Sequence, residues 1–187
     1  MALTVPAAAG LMSVTGFPDS PPVKAGAAVC DFSGGIHLYA GIMTALYEVE
    51  KTGKGRMVEV SMQEAIYASL ASNIGMYYTL GGKEPPRTGN QHGGLSISPY
   101  NVYETKDGYA AINCTNDGHF YRLIEEIGRP ELKDDPRFAT NQARGENQAE
   151  LDNLINDWTR TRTIDEVEAV MIEHAVPVGK VYRARDM

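Results

Sequence analysis

The stretch VCDFSGGIHL, residues 29–38, places one acidic residue between an apolar run and the start of a helical pattern. From Ser33 onward, apolar residues recur at steps of three and four, which is the spacing of one helical face. These residues are Ile36, Tyr39, Ala40, Met43, Leu46 and Tyr47. The pattern predicts a buried helix that ends near Lys51, followed by a glycine turn at Gly53.

Asp31 has two interpretations at this helix start. Aspartate is a common helix N-cap, and the residue pattern alone favours that role. In the other interpretation its carboxylate is a nucleophile, because the helix dipole favours an ionised carboxylate in the first turn. Gly34 and Gly35 would then let a bulky ligand approach it.

Composition and charge exclude several classes of protein. The 187 residues carry a formal net charge of −7 with scattered Lys and Arg, which argues against nucleic-acid binding. The longest apolar windows, 25–29 and 36–46, fall short of the ~20 residues of a membrane span. Residues 1–6 lack the basic and apolar regions of a secretory signal, so we expect a cytoplasmic protein.

The potential metal ligands show no recognisable metal-binding spacing. Cys30 and Cys114 are too few for a four-cysteine zinc site and are predicted to be buried thiols. The four histidines show no His-x-x-x-His spacing, so no metal site is expected. His37 lies on the predicted buried helix and is interpreted as a core histidine.

The first part of the chain, residues 1–80, is predicted to be an α/β unit. Residues 1–24 are rich in glycine and proline and are expected to be loop. Residues 56–60 alternate well enough for a short strand. Ser61 and Glu64 form a capping-box pattern that predicts a second helix, running through Ile66 to Tyr77.

Residues 81–99 are predicted to be a glycine-containing linker, and residues 100–187 a small α+β domain. A hairpin is expected from residues 100–105 and 109–114, because Lys106-Asp107-Gly108 between them is a strong turn signal. Three helices are predicted at 119–127, 148–159 and 164–173, the last with Thr163 as N-cap and Glu166 completing a capping box. Residues 176–182 should form an edge strand, since Pro177 lacks an N–H.

The linker carries the remaining candidate site residues. Backbone N–H groups around Gly93 and Gly94 are suited to an anionic ligand or an oxyanion, although the pattern favours a plain linker. Arg87 and His92 are candidates to bind a carboxylate. Their other interpretation, as solvated loop residues, is favoured by the pattern alone.

A larger set of motifs runs along the whole chain. They are GLMSVTG (10–16), PVK (22–24), DFSGG (31–35), EKTGKGR (50–56), VSMQEA (60–65), RTGN (87–90), SPY (98–100), TKDGY (105–109) and DPRF (135–138). Together they closely resemble the class III CoA-transferases, the family of formyl-CoA and carnitine CoA-transferases. The sequence is identified as a member of that family.

The resemblance implies a function and a site. The aspartate that matches Asp31 is the nucleophile, which attacks an acyl-CoA thioester and passes CoA to a carboxylic acid through acyl- and CoA-aspartyl intermediates. Acyl-CoA and carboxylic acids would be the partners, and no cofactor is expected beyond the CoA thioester substrate. The family's loop that closes over the intermediate is glycine-rich, whereas here it holds only Gly93 and Gly94, beside His92.

The resemblance also implies an architecture. Residues 1–80 would be part of a Rossmann-like large domain bearing the catalytic aspartate, and two subunits would interlock as a homodimer. Family members are about twice as long, so the chain is expected to be a middle portion and inactive alone. Two alternatives stay open: an α-methylacyl-CoA racemase, in which the aspartate works as an acid/base group with an upstream histidine, and a non-catalytic assembly module.

Overall fold

The computed structural model describes residues 3–187 and divides them into two compact units, the first ending at Gly89 and the second beginning at Asn90. The break falls inside the segment 81–99. Met1 and Ala2, with the loop expected there, lie outside the described residues. No helix within residues 3–187 is long and apolar enough to cross a membrane.

The first unit is built from helices. They are α1 (Thr4–Ala8), α2 (Val29–Thr52), α3 (Met62–Tyr67) and α4 (Ala71–Thr79), with 3-10 turns at Leu11–Val14 and Ala68–Leu70. α1 corrects the loop expected at residues 1–24. Pro6 is compatible with α1 because it lies in the first turn, where a helix does not use the N–H that proline lacks.

Residues 3–89 contain no strand, which corrects the predicted strand at 56–60 and the α/β assignment of this part of the chain. An alternating pattern becomes a strand only when a neighbouring segment pairs with it. Within residues 3–89 no segment forms a ladder with residues 56–60. The described part of this unit is therefore helical.

α2 begins before Asp31 and ends at a glycine. Its N-cap is Ala28, whereas the apolar periodicity placed the helix start at Ser33. At its end, Gly53 has a φ of 67° and donates its N–H to the Val49 carbonyl at 2.8 Å. Glycine adopts this left-handed conformation without steric penalty, so the predicted glycine stop is confirmed.

The large apolar residues of α2 are exposed, which corrects the prediction of a buried helix. The helix buries only the small residues Cys30, Gly34 and Ala45. The exposed residues, called here the α2 apolar face, are Phe32, Ile36, Tyr39, Met43, Leu46 and Tyr47. Their exposed fractions run from 48% for Met43 to 74% for Phe32. Periodicity identified the apolar face, but it does not reveal which segment covers that face.

Ser61 begins the second helical stretch as predicted, because its side chain accepts a hydrogen bond from the Glu64 N–H at 3.4 Å. The stretch is interrupted by the 3-10 turn before α4. It stops ahead of Gly81, whose φ is 67°. A small core of Ala9, Cys30 and Ile66 holds this unit together, with Val5, Leu11, Val29 and Met62 packed against it.

The second unit is built around a three-stranded antiparallel sheet of order β1–β2–β3. The strands are β1 (Tyr100–Glu104), β2 (Tyr109–Asn113) and β3 (Val178–Lys180). The predicted hairpin is confirmed, with Tyr100 opposite Asn113 and Glu104 opposite Tyr109. Among residues 3–187, β3 pairs only with β2, and it follows Pro177, so the predicted edge strand is also confirmed.

Four helices complete this unit. They are α5 (Asp117–Glu126), α6 (Asn141–Glu146), α7 (Gln148–Thr159) and α8 (Ile164–Glu173), with 3-10 turns at Pro130–Lys133 and Ala184–Asp186. α7 and α8 have the predicted bounds, and the capping box of Thr163 and Glu166 is present. α6 was not predicted, because six residues are too short to show apolar periodicity.

The helices and the sheet enclose one hydrophobic core. Its fully buried members include Tyr103 of β1, Phe120 of α5, Phe138, Leu151 of α7 and Met171 of α8. Core residues therefore come from the hairpin and from α5, α7 and α8.

Candidate active site

Asp31 lies in the first turn of α2 with its side chain exposed. Since Ala28 is the N-cap, the N-cap interpretation of Asp31 is wrong, and its placement in the first turn is confirmed. Among residues 3–187, no group pairs with its carboxylate. Asp31 is therefore an exposed and unengaged carboxylate.

The two glycines after Asp31 have different surroundings. A Cβ at buried Gly34 would lie 2.9 Å from Cγ of Met62, so this glycine serves the close packing of α2 against α3. A Cβ at exposed Gly35 would have no neighbour within 4 Å among the described residues. Asp31 and Gly35 are four residues apart and share one side of the helix. The space predicted to let a bulky ligand approach Asp31 is therefore at Gly35 and not at Gly34.

Arg87 is a half-buried structural contact of the first unit, not a solvated loop residue. Its guanidinium donates to the carbonyl oxygens of Phe17 at 3.2 Å and Pro18 at 3.3 Å, and also to that of Ser20. These bonds tie residues 17–20 to the end of the unit. Several of the Arg87 N–H groups that could bind a carboxylate therefore already donate to backbone carbonyls.

His92 is held in a tight turn of the second unit. Its Nδ1 accepts a hydrogen bond from the Gly94 N–H at 3.2 Å and lies 3.2 Å from Oγ of Ser96. The Leu95 N–H donates to the His92 carbonyl at 2.8 Å, and the imidazole packs edge-on against Tyr100 with ring centroids 5.6 Å apart. Because Nδ1 accepts, the neutral imidazole carries its proton on Nε2. His92 thus presents an N–H donor from an ordered ring.

Gly93 and Gly94 form the turn beside His92, and both are half-buried. The Gly94 N–H points to Nδ1 of His92, so it is not offered to an anionic ligand. Backbone N–H groups around Gly93 and Gly94 were predicted to suit an anionic ligand. The Gly94 N–H instead orients the imidazole of His92. Asp31 and Arg87 belong to the first unit, and His92, Gly93 and Gly94 to the second.

α6 contacts the segment that follows His92, and sequence reasoning missed this contact. Asn141 and Arg144 bond to Ser96 and Ser98, and Gly145 lies close to the Leu95 carbonyl. The available signal was the Thr140-Asn141 pair, since threonine before a polar residue is a common helix start. Thr140 indeed caps α6 by accepting from the Ala143 N–H.

The remaining histidine and cysteine predictions have mixed outcomes. His37 is exposed, with Nδ1 2.8 Å from the Ser33 carbonyl, so its interpretation as a core histidine is wrong. Cys30 and Cys114 are both buried free thiols, as predicted. Within residues 3–187, no cluster of three or more His, Cys, Asp or Glu is arranged to hold a metal ion.

Two concavities of the second unit are lined by other residues. The larger, about 670 Å³, lies beside the hairpin turn and includes Lys106 and Lys180. The smaller, about 400 Å³, lies on the sheet face that includes Val102 and Gly179, and Tyr100 lines it as well. Tyr100 is therefore the side chain that the smaller concavity shares with the surroundings of His92.

Comparison with known proteins relates the chain to CoA-transferases. The family model described as CoA-transferase family III matches residues 1–187. The chain is 40% identical to succinyl-CoA--D-citramalate CoA-transferase from Chloroflexus aurantiacus over 95% of its own length. It is 36% identical to succinate--glutarate CoA-transferase from Agrobacterium fabrum, also over 95%. It spans 44% of each of these relatives.

Solved structures share the fold. A CaiB/BaiF family protein from Brucella suis superimposes with a TM-score of 0.78 at 34% identity, covering 99% of this chain and 48% of that chain. A protein from Mycobacterium tuberculosis gives a TM-score of 0.80 at 23% identity, with 99% and 47% covered, and shows likeness of fold alone. The mixed helical and sheet architecture therefore matches this structural family.

Proposed function

The chain belongs to CoA-transferase family III, and on that premise we propose that the protein transfers coenzyme A from an acyl-CoA thioester to a carboxylic acid. The match over all 187 residues and the CoA-transferases at 40% and 36% identity support this reaction class. The names of those relatives suggest dicarboxylic acids as the first acceptors to test. Coenzyme A enters as a substrate, and the proposal requires no further cofactor.

In the proposed mechanism, Asp31 is the nucleophile. Its carboxylate attacks the thioester carbonyl, which forms an acyl-aspartyl anhydride and releases the CoA thiolate. The thiolate attacks the aspartyl carbonyl, which forms an aspartyl-CoA thioester and releases the donor acid. The acceptor carboxylate attacks this thioester, giving a second anhydride and thiolate, and the thiolate then takes the acceptor acyl group and regenerates Asp31. Together, these steps replace one difficult exchange of CoA by several easier reactions.

The observation that carries this mechanism is the exposed, unengaged carboxylate of Asp31 in the first turn of α2. A nucleophile must be reachable, and the Asp31 side chain is exposed. The open position at Gly35, one turn along, leaves space for the acyl thioester beside it. A structural cap would instead have its oxygens bonded to backbone N–H groups.

We propose that His92 assists by hydrogen bonding. The bond from the Gly94 N–H to Nδ1 leaves the proton on Nε2, which is suited to donate to an oxygen of the acceptor carboxylate. Gly93 and Gly94 shape the turn that holds this imidazole. Arg87 has a positioning role, because its guanidinium is bonded to the backbone of residues 17–20.

We also propose that the protein works as a homodimer in the cytoplasm. The α2 apolar face exposes six large side chains along one stripe, and a contiguous apolar surface of this kind marks a protein interface. Two buried free thiols suit a reducing compartment. The Rossmann-like character of the large domain stays a prediction from the family resemblance.

The mechanism is tested by trapping the intermediate. The longest natural form of the protein is mixed with succinyl-CoA, acetyl-CoA and other thioesters, treated with hydroxylamine, and measured by intact mass and peptide mapping. We expect an aspartyl hydroxamate at Asp31, no adduct in Asp31→Asn, and a transfer rate at least ~10³-fold lower in that variant. Asp19→Asn, which changes another exposed carboxylate of the same unit, should keep both the adduct and the rate.

Two results would contradict the mechanism. Transfer by Asp31→Asn at the normal rate would remove Asp31 from the chemistry. Deuterium uptake at the α-carbon of an acyl-CoA in deuterated water, without any acceptor acid and without an adduct, would identify a racemase instead.

A further inference from the structure

One stripe of α2 begins at Asp31 and is separate from the α2 apolar face. Residues four, seven and eleven positions apart lie on one side of a helix, and counted from Asp31 they are Gly35, Leu38 and Ile42. Leu38 is 38% exposed and Ile42 42%, less than any member of the α2 apolar face. Since each residue turns the helix by about 100°, this stripe runs between the α2 apolar face and the packed side of α2.

The packed side of α2 gives the stripe a wall. A Cβ at Gly34 would lie 2.9 Å from Cγ of Met62, and a Cβ at Gly41 would lie 2.8 Å from Cγ1 of Val58. These two glycines are seven residues apart, which is about two turns of helix. The segment 58–62 therefore lies against α2 along the length of the stripe that follows Asp31.

Gly35 is the open position of the stripe. A Cβ there would have no neighbour within 4 Å among the described residues. The position beside it, Gly34, is also a glycine, so α2 itself places no side chain on its surface one turn after Asp31. We call this space the Asp31 groove: Gly35 is its floor, and the segment 58–62 is one wall.

Leu38 closes the far end of the Asp31 groove. It follows Gly35 by three residues and Gly34 by four, and a helical side chain leans toward the N-terminus of its helix, so that of Leu38 leans toward these glycines. Seven residues advance a helix by roughly 10 Å and nonbonded carbons approach to about 4 Å, which leaves room beside the Asp31 carboxylate for an acyl group of about four carbons.

We propose that Leu38 is a specificity-determining residue, which limits the length of the acyl group that Asp31 carries. The inference rests on the proposed function, in which the donor and acceptor acyl groups are joined to Asp31 in turn. A chain that fits lies over Gly35 and ends at Leu38, whereas a longer chain must leave the Asp31 groove. Because Leu38 contacts the end of the chain and not the reacting carbonyl, its replacement should change the choice among acyl groups.

The test measures how fast Asp31 reacts with donors of increasing length, in the longest natural form of the protein. The donors are acetyl-, butyryl-, hexanoyl- and octanoyl-CoA, and succinyl-, glutaryl- and adipyl-CoA. Hydroxylamine traps the aspartyl intermediate as a hydroxamate, and its rate of formation is followed by intact mass and peptide mapping. No acceptor acid is needed, so the unknown acceptor does not enter the measurement.

Three variants are compared with the wild type. Leu38→Ala opens the end of the Asp31 groove, and Leu38→Phe moves that end toward Asp31. Val49→Ala is the matched control, because Val49 is a half-buried apolar residue on the same side of α2, five turns after Asp31 and beyond the reach of an acyl group. The thermal midpoint of each protein is measured as well.

We expect the two Leu38 variants to shift the length preference in opposite directions. Leu38→Ala should raise the six-carbon to four-carbon rate ratio about tenfold, and Leu38→Phe should lower the four-carbon to two-carbon ratio about tenfold, because one methylene group in an apolar site changes selectivity by about this factor. Val49→Ala should keep the wild-type ratios. Ratios are compared because a loss of packing alone lowers all rates equally, and if one Leu38 variant fails to fold, the other still gives its shift.

Three outcomes would overturn the inference. The first is a wild-type protein that reacts with octanoyl-CoA as fast as with butyryl-CoA. The second is a set of unchanged ratios in the folded Leu38 variants, and the third is an equal shift in Val49→Ala. In each of these outcomes the Asp31 hydroxamate still forms, so the proposed function stands. A wild-type protein that forms no hydroxamate with any donor would instead overturn the proposed function, and the role of Leu38 with it.

Discussion

At the residue scale, Gly35 is the position where stability and activity should separate. Gly35→Ala should raise the free energy of unfolding by about 1 kcal/mol, because alanine is the better helix former and the added methyl group has no neighbour within 4 Å. The same methyl group fills the space beside Asp31, so we expect the rate of CoA transfer to fall about tenfold. Urea unfolding and initial rates measure the two effects.

Gly34→Ala is the matched comparison, because its Cβ would lie 2.9 Å from Cγ of Met62. We expect it to lower the free energy of unfolding by about 1–3 kcal/mol through overpacking. A Gly35→Ala protein with the wild-type transfer rate would contradict the use of this space by the substrate.

Asp152 gives a pH dependence of stability. Its oxygens accept from the Tyr103 hydroxyl at 2.6 Å and the Asn101 amide at 2.7 Å, yet burial outweighs these bonds and raises the pKa of the Asp152 carboxyl. A folded-state pKa above the unfolded value means that the folded protein binds the proton more tightly. The contribution to stability is therefore fully present below the unfolded pKa and is lost as pH rises through the folded pKa.

Asp152→Asn should remove this pH dependence. The free energy of unfolding, measured by urea titration from about pH 3 to about pH 8, is expected to fall with pH more steeply in the wild type than in the variant. Identical slopes in the two proteins would show that Asp152 does not titrate differently in the folded state.

Single residues also show what the sequence can predict. The helix that begins near Asp31 was predictable, because helix periodicity is a local property, although the periodicity placed its start at Ser33 and not at Ala28. The hydrogen bonds of Arg87 to residues 17–20 were not, since they join segments that are far apart in the chain. The tautomer of His92 depends on the direction of one backbone N–H, which no side-chain pattern records.

At the element scale, α8 is expected to depend on its capping box. Thr163→Ala removes the side-chain oxygen that accepts from the Glu166 N–H and should lower the free energy of unfolding by about 1 kcal/mol. Glu166→Gln keeps an oxygen that accepts from the Thr163 N–H and should cost less. Urea midpoints compare them, and a larger loss in Glu166→Gln than in Thr163→Ala would contradict this assignment.

Elements with strong local signals were predictable, and short ones were not. α7, α8 and the hairpin were predicted because their caps, periodicity and Asp-Gly turn are all local. α6 has six residues and therefore no periodicity to detect. The strand at 56–60 was wrong because a strand depends on a partner segment that sequence alternation does not identify.

At the scale of the whole molecule, the α2 apolar face should control assembly. We expect the longest natural form of the protein to have the mass of a dimer by light scattering, and Tyr39→Glu or Met43→Glu to shift it toward monomer, because a charge in an interface loses its hydration. Met57→Glu is the control, since Met57 is 80% exposed but lies outside α2. A monomeric wild type, or a control with the same effect, would contradict this role.

The two buried cysteines have a chemical consequence for the thioester chemistry that we propose. Thiolates exchange acyl groups with thioesters more readily than carboxylates attack them. Cys30 adjoins Asp31, but it is 1% exposed, and burial, together with the charge of Asp31, raises the pKa of its thiol. Cys114 is fully buried, and burial raises its pKa to about 12. In the mechanism that we propose, the fold would therefore favour oxygen over sulfur, because both thiols are buried with raised pKa values whereas the Asp31 carboxylate is exposed.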